Sequence, residues 1–339
     1  MKKLTVIMFI VATASAALAS ARCFNLLRDK RWEGFREDTE LYVRQQTDPG
    51  DVYAKLAKAS RWPARLEKVL RREGAMDSIP AGHYLIPASS TATYCARMLS
   101  HGWQTPVRLT ISETIRRRGE LAQRISAQML LDSASVSEAL EDTELLSEFG
   151  ATPETVFSLF IPDTYEVYWS ESMRDILVRQ QAVTDAFWTD ERLSKASRLG
   201  LDRLEVTTLA SIVDAETNCR KEMPKVAGVY INRLKRGMRL QADPTIAYCF
   251  DYRINRVLKR HLKVDSPYNT YTHKGLPPAP IRIATREALD AVLDADTSGG
   301  ILYFCADPSL NGTHRFTRSY SEHMKNAREF QKALNNLNK

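Results

Sequence analysis

Leu204–Cys219 reads LEVTTLASIVDAETNC, and the spacing of its apolar residues decides how the rest of the chain is organised. At about 100° per residue, Val206, Leu209, Ala210, Ile212 and Val213 fall on one stripe, the pattern of a helix packed on a core. Thr207, Thr208, Ser211 and Ala215 fill the other side. Glu216 follows Val206 by ten positions and projects into the apolar stripe, beside Leu209 and Ile212. Asp214 points roughly 160° away from it, at the edge of the polar face. The two acids cannot share one site on an unbroken helix. A carboxyl among apolar groups prefers its neutral form, so its pKa rises, as a general acid near neutral pH requires. A competing reading ends the helix near Asp214 and turns Glu216 to solvent or onto Arg220. Periodicity alone leaves the two open.

Downstream, Pro224 opens a second helix with Val226, Val229, Tyr230 and Leu234 on its apolar face and Gly237 at its end. Three turn-rich strips follow: MRLQADPT over Met238–Thr245, SPYNTY over Ser266–Tyr271, and GLPPAPI over Gly275–Ile281. Aromatic rings stack on sugar faces and amides bond to hydroxyls, so such strips after a buried acid suit a glycan site. The alternative is a set of proline-stiffened surface loops. Upstream, Ile79–Gly82 reads as a turn, His83–Ile86 as a strand, Thr93–Leu99 as a helix and Pro106–Ile111 as a second strand. Ser112 is placed to cap a long helix through Ile125, and helical periodicity continues to about Arg198 with breaks near Gly150 and Pro162. The fold class expected is α+β: a small α+β module within residues 22–111, then a mixed, helix-rich unit over 112–335.

The 339 residues are 44% hydrophobic and 26% charged, which excludes a disordered chain and a polytopic membrane protein. Five cysteines and no CxxC exclude a disulfide scaffold and a zinc ribbon. There is no HExxH, GxSxG or GxGxxG, so neither metal nor cofactor is expected. A net charge of +7 points to an anionic neighbour. Lys2 and Lys3 precede an uncharged run from Leu4 to Ala21 with small residues at its end, the layout of an export signal and barely long enough to cross a bilayer. We expect residues 1–21 to remain as a signal anchor in the inner membrane, single-pass, with residue 22 onward on the periplasmic side. Nucleic acid is then excluded as a partner and the cell envelope favoured. Arg22 before Cys23 does not suit a lipid anchor. Arg253, Arg256, Lys259, Arg260 and Lys263 read as a solvated face rather than a grip for acidic peptides or lipid. Cys219 and Cys249 are candidates for a disulfide outside the cytoplasm.

LASIVDAET, INRLKRGMRLQADPT, SPYNTY and GLPPAPI, in that order, resemble the YceG-like family of endolytic murein transglycosylases. Pro162–Tyr165, Leu302–Phe304 and the segment from His314 through Tyr320 and His323 extend the resemblance to about residues 75–335. It implies a membrane-anchored enzyme with a LysM-like subdomain, here at about 75–111, before the catalytic domain. It also implies cleavage of nascent peptidoglycan strands between N-acetylmuramic acid and N-acetylglucosamine, leaving a 1,6-anhydromuramic end, with peptidoglycan synthases as further partners. The family's catalytic glutamate falls on Glu216, in agreement with the helical projection. Three places depart from the family pattern: Asp214 stands where many members have a glutamate, Ala279 replaces the usual glycine of the Pro-Pro-Gly-Pro turn, and Arg282–Thr285 replace the residues common after it.

Hydrolysing glycosidases use two carboxyls, whereas a lytic transglycosylase needs one that gives a proton to the leaving oxygen and takes one from the muramic C6 hydroxyl. Glu216 is the expected single acid/base. Gln241, Asp243, Thr245, Tyr268, Asn269, Thr270 and Tyr271 are the expected substrate-binding residues. The rivals are a muramidase that adds Asp243 as second carboxylate, and a non-catalytic peptidoglycan-binding scaffold. His314 and His323 are read as structural.

Overall fold

The computed structural model describes residues 2–337, so Met1 of the expected anchor lies outside the described residues. Helix α1 spans Lys2–Arg31 and runs past Ala21, through Arg22 and Cys23, because nothing in that stretch breaks a helix. Its basic last turn, with Arg28, Lys30 and Arg31, suits the negative end of the helix. Ile10–Arg31 is the one segment among the described residues that forms a helix long and apolar enough to cross a membrane, by length and composition.

The chain forms two compact units. The first takes the residues up to 108 together with 166–171. In it β1 (Thr39–Val43) pairs antiparallel with β2 (Gly82–Ile86), Leu41 opposite Tyr84, and α2 (Pro49–Ala59) and α3 (Pro63–Arg72) lie between them in sequence. Both helices open on proline, whose fixed φ and missing N–H fit the first helical turn. Leu41 and Val43 point inward from β1 and join Phe35, Leu56, Leu66, Val69 and Tyr84 in one core. Helix α4 (Ala92–Ser100) follows, capped by Thr91. Asp29 of α1 is buried and receives two hydrogen bonds from Arg65, of 3.0 and 2.6 Å.

This arrangement gives the α+β region expected over 22–111 a strand, β1, that the sequence reading did not include. Gly82–Ile86 pairs with a strand some forty residues upstream, not with the strand at 107–111. A small βααβ unit therefore covers 39–86. The alternation in TELYV was hidden by the charged residues around it.

The second unit takes residues 109–165 and 172 onward. Strand β3 (Val107–Ile111) pairs with β4 (Asp163–Val167). Between them in sequence lie α5 (Arg118–Ser126), α6 (Ser133–Glu141) and α7 (Thr143–Ser147). Helix α5 starts five residues later than expected, with Arg117 rather than Ser112 at its cap. Glu120 accepts the Arg116 and Arg117 backbone N–H groups and fixes the start there, while Ser112 bonds sideways to Thr114. Helices α8 (Met173–Phe187), α9 (Asp190–Leu199), α10 (Arg203–Glu216), α11 (Met223–Lys235), α12 (Asp243–Cys249) and α13 (Arg286–Leu293) follow. An antiparallel pair, β5 (Tyr303–Ala306) and β6 (His314–Thr317), leads into α14 (Tyr320–Leu337).

Helix α10 is central to this unit and is buried from Val206 to Asp214. Its polar side, expected toward solvent, is inside as well: Ser211 is 0% exposed and its Oγ accepts the Ile281 N–H at 3.0 Å. Thr207 bonds back to the Arg203 carbonyl. Small hydroxyl residues thus let neighbouring backbone come close without leaving a polar group unpaired. Glycine does the same on α11, where a Cβ on Gly228 would collide with the Asp296 carbonyl.

Candidate active site

Asp202 and Glu205 form a reciprocal cap at the start of α10, and Thr217 turns to extended backbone at its end. Glu216 is therefore the last residue of the helix, not beyond it. It makes no pair with Arg220, which binds Glu287 at 2.6 Å instead. Glu216 is half-buried, and its Oε1 accepts a 2.6 Å hydrogen bond from the Tyr230 hydroxyl. Burial pushes its pKa up to about 7. The Tyr230 hydrogen bond and Arg233 act against that rise, and the charge of Asp243 adds to it. The negative end of α10 works in the same direction as burial.

Tyr230 is 1% exposed and is backed by the edge of Phe304, 5.9 Å between ring centroids. Burial, with Glu216 beside it, holds its hydroxyl well above the ordinary tyrosine pKa, so it stays a donor. Arg233, one turn further along α11, is also buried. Its Nε donates to the Leu302 carbonyl at 2.7 Å and its Nη1 to the Leu240 carbonyl at 2.5 Å. It thereby fixes the backbone just ahead of Gln241. Tyr230 looks like one more apolar position of its helix in sequence, and Arg233 like one of a basic run. The signal for each was position: i and i+3 on the helix facing the acid.

The strip Gln241–Thr245 carries Asp243 to this place. Gln241 has a left-handed backbone, φ 51°, and its N–H donates to the Thr270 carbonyl. Asp243 begins α12, is exposed, and accepts a 2.5 Å hydrogen bond from the Tyr271 hydroxyl. Burial raises the Tyr271 pKa, with Asp243 and Glu216 adding to the rise. Glu216, Tyr230, Arg233, Asp243 and Tyr271 thus form one electrostatic cluster.

The other expected binding residues have internal roles. Thr245 and Thr270 are buried, with their hydroxyls 2.8 Å apart, and Thr270 Oγ1 accepts the Ala242 N–H. Asn269 is 0% exposed and donates to the Leu262 and Val264 carbonyls. These side chains hold the strips together and leave Gln241, Asp243, Tyr271 and Tyr268 nearer the surface. Tyr268 lies against Tyr248, 4.5 Å between centroids. His314 is bound to Glu222 at 2.9 Å. Cys219 and Cys249 are free thiols, not a disulfide.

Asp214 is turned to the opposite side of α10, as projected, but into the interior. It is 8% exposed, lies 3.3 Å from Arg282 and accepts the Thr285 hydroxyl at 2.8 Å.

The sequence profile of the YceG-like family matches residues 41–329. The chain is 36% identical over 155 residues to an endolytic murein transglycosylase of Bacillus subtilis, covering 45% of this chain and 42% of that one. It is 25% identical over 282 residues to one of Streptococcus pneumoniae serotype 2, covering 74% and 50%. The chain thus spans half or less of the length of these relatives. A crystal structure of a YceG-like protein from Listeria monocytogenes is similar with a TM-score of 0.56 and 25% identity, over 86% of this chain and 99% of that one. With the profile matched along most of its length, the chain belongs to the YceG-like family.

Proposed function

We propose that the protein is a membrane-anchored endolytic murein transglycosylase in which Glu216 is the single acid/base. The observation that carries this reading is the Glu216 carboxyl itself, poised by burial to hold or release a proton near neutrality and oriented by Tyr230. In the reaction, protonated Glu216 gives its proton to the glycosidic oxygen between muramic acid and N-acetylglucosamine. The C1–O bond breaks and the N-acetylglucosamine hydroxyl leaves. The carboxylate then takes the proton of the muramic C6 hydroxyl as O6 closes onto C1. Glu216 ends protonated, no water is consumed, and the strand carries a 1,6-anhydromuramic end. Tyr230 donates to the carboxylate while it is charged, and Gln241, Asp243, Tyr268 and Tyr271 line the sugar path.

The anchor is α1, with both units on the periplasmic face of the inner membrane. The βααβ unit at 39–86 is LysM-like in its order of elements and serves as a glycan-holding module. A second reading, a hydrolytic muramidase, is favoured by one observation: Asp243 acts on Glu216 and is held by Tyr271, which supplies a second carboxylate. Mass spectrometry of murein digested by the purified protein decides between them. Anhydro ends, lighter by one water, are expected, and reducing ends in their place overturn the transglycosylase reading.

A further inference from the structure

The basic run at 253–263 lies open to solvent, with Arg253 turned onto its neighbour Asp251. A different group of arginines lines a cavity. Arg116, Arg117 and Arg118, at the entry to α5, border a cleft of about 730 Å³ whose far wall includes Tyr248, Cys249 and Ser266. That volume lies within the usual range for ligand sites. We propose that this cleft binds the peptide branch of the substrate, with a peptide carboxylate on Arg116.

The cleft has charge of both signs. Arg117 is held by Glu120 at 2.6 Å and approaches Asp251 at 3.7 Å, and Arg118 is held by Glu141 at 2.6 Å. Arg116 differs. Among the described residues its guanidinium has no carboxylate partner, and it lies over the Tyr252 ring at 5.4 Å from the centroid. A cation stacked on an aromatic face keeps its N–H edge open, in the geometry that binds a carboxylate with two hydrogen bonds. A pure anion would find Glu120, Glu141 and Asp251 repulsive. A short peptide bearing carboxylates and an amine meets a matching alternation of charge.

Position connects the cleft to the acid. Helix α12 has Asp243, which acts on Glu216, at its start and Cys249, which lines the cleft, at its end. At a rise of 1.5 Å per residue the two ends are about 9 Å apart. Tyr268, packed against the cleft residue Tyr248, belongs to the same strip as Tyr271. A strand whose scissile bond is at Glu216 can therefore reach the cleft with a side branch rather than with its sugars. This rests on the function proposed above.

The test uses the full chain in detergent with two substrates, glycan strands that keep their peptides and strands stripped of them by an amidase. Wild type is expected to prefer the peptide-bearing strands. Arg116→Gln is expected to lower the ratio of kcat/KM on the two substrates about tenfold, the scale of one lost hydrogen-bonded charge. Arg116→Lys is expected to restore part of that ratio. An unchanged ratio in Arg116→Gln overturns the inference. Cleavage of neither substrate by wild type counts against the proposed function instead. Calorimetric titration of the free stem peptide into wild type and Arg116→Gln then still decides the cleft: binding lost in the variant supports it, and no binding to wild type overturns it.

Discussion

Two acids two residues apart on α10 face different parts of the second unit and have opposite surroundings. Asp214 is buried against the α13 side, with a cation at 3.3 Å and a hydroxyl at 2.8 Å. Burial raises its pKa and Arg282 opposes the rise. Glu216 faces α11 and α12, keeps an opening to solvent, and its hydrogen bond comes from a neutral hydroxyl. Burial is common to both, so burial does not make an acid catalytic. What separates them is a direct ion pair, which suits one to be a strut, against a neutral donor and an open side, which suit the other to the proton exchange proposed for it.

The largest effect should come from removing proton exchange at Glu216. Glu216→Gln keeps the size and the hydrogen bond to Tyr230 but cannot give or take the proton. General acid–base assistance is worth about 10²–10⁴-fold, and in the proposed reaction one group supplies both halves. Chromatography of murein digests should show anhydro product reduced by at least the lower figure, with a normal thermal melt. Near-normal product from a folded variant would remove Glu216 from the chemistry.

On the other face the effect should be on stability. Asp214→Ala leaves Arg282 buried without its partner, which costs about 3–5 kcal/mol in comparable pairs. Urea unfolding should show a clear loss of midpoint. A midpoint unchanged from wild type would mean that the ion pair is not a strut.

Much of this comparison was legible in the sequence, since helical angle alone separates Glu216 from Asp214. What the angle could not give was the depth of the helix. Thr207, Thr208 and Ser211 look like a solvent face, yet all three are buried: the Thr207 hydroxyl bonds to its own helix, and that of Ser211 donates to the Thr208 carbonyl and accepts the Ile281 N–H. The partners of the two acids were also hidden. Tyr230 and Arg282 are 14 and 68 residues away from Glu216 and Asp214 along the chain, and no local pattern announces such contacts. The partner of β2 was hidden for the same reason: β1 lies some forty residues upstream, and its alternation is masked by the charges around it.

The raised pKa of Glu216 has a pH signature of its own. Its folded value is about 7 against 4.5 for a free glutamate, so the folded state holds a proton that the unfolded state releases. The stability this gives is fully present below pH 4.5 and is lost as pH rises through 7. The change amounts to about 3 kcal/mol. Glu216→Gln removes the titration, so the variant should match wild type at low pH and exceed it in stability above pH 8. Parallel curves for the two proteins would show that burial does not shift this carboxyl.

The smallest effect expected is on the activity of Asp214→Asn. The amide keeps the side chain's shape and an acceptor for the Thr285 hydroxyl, so the N-cap residue of α13 keeps its bond to α10. The charge of Arg282 is left less well matched, which lowers stability by less than the alanine change does. The site on the far side of the helix loses nothing it touches, because Asp214 is absent from the groups that act on Glu216. Murein digestion by the folded fraction of Asp214→Asn should therefore stay within about tenfold of wild type, a barrier change of no more than about 1.4 kcal/mol. A loss as deep as that of Glu216→Gln would mean that the two faces of α10 are coupled and that the separation of strut from acid is wrong.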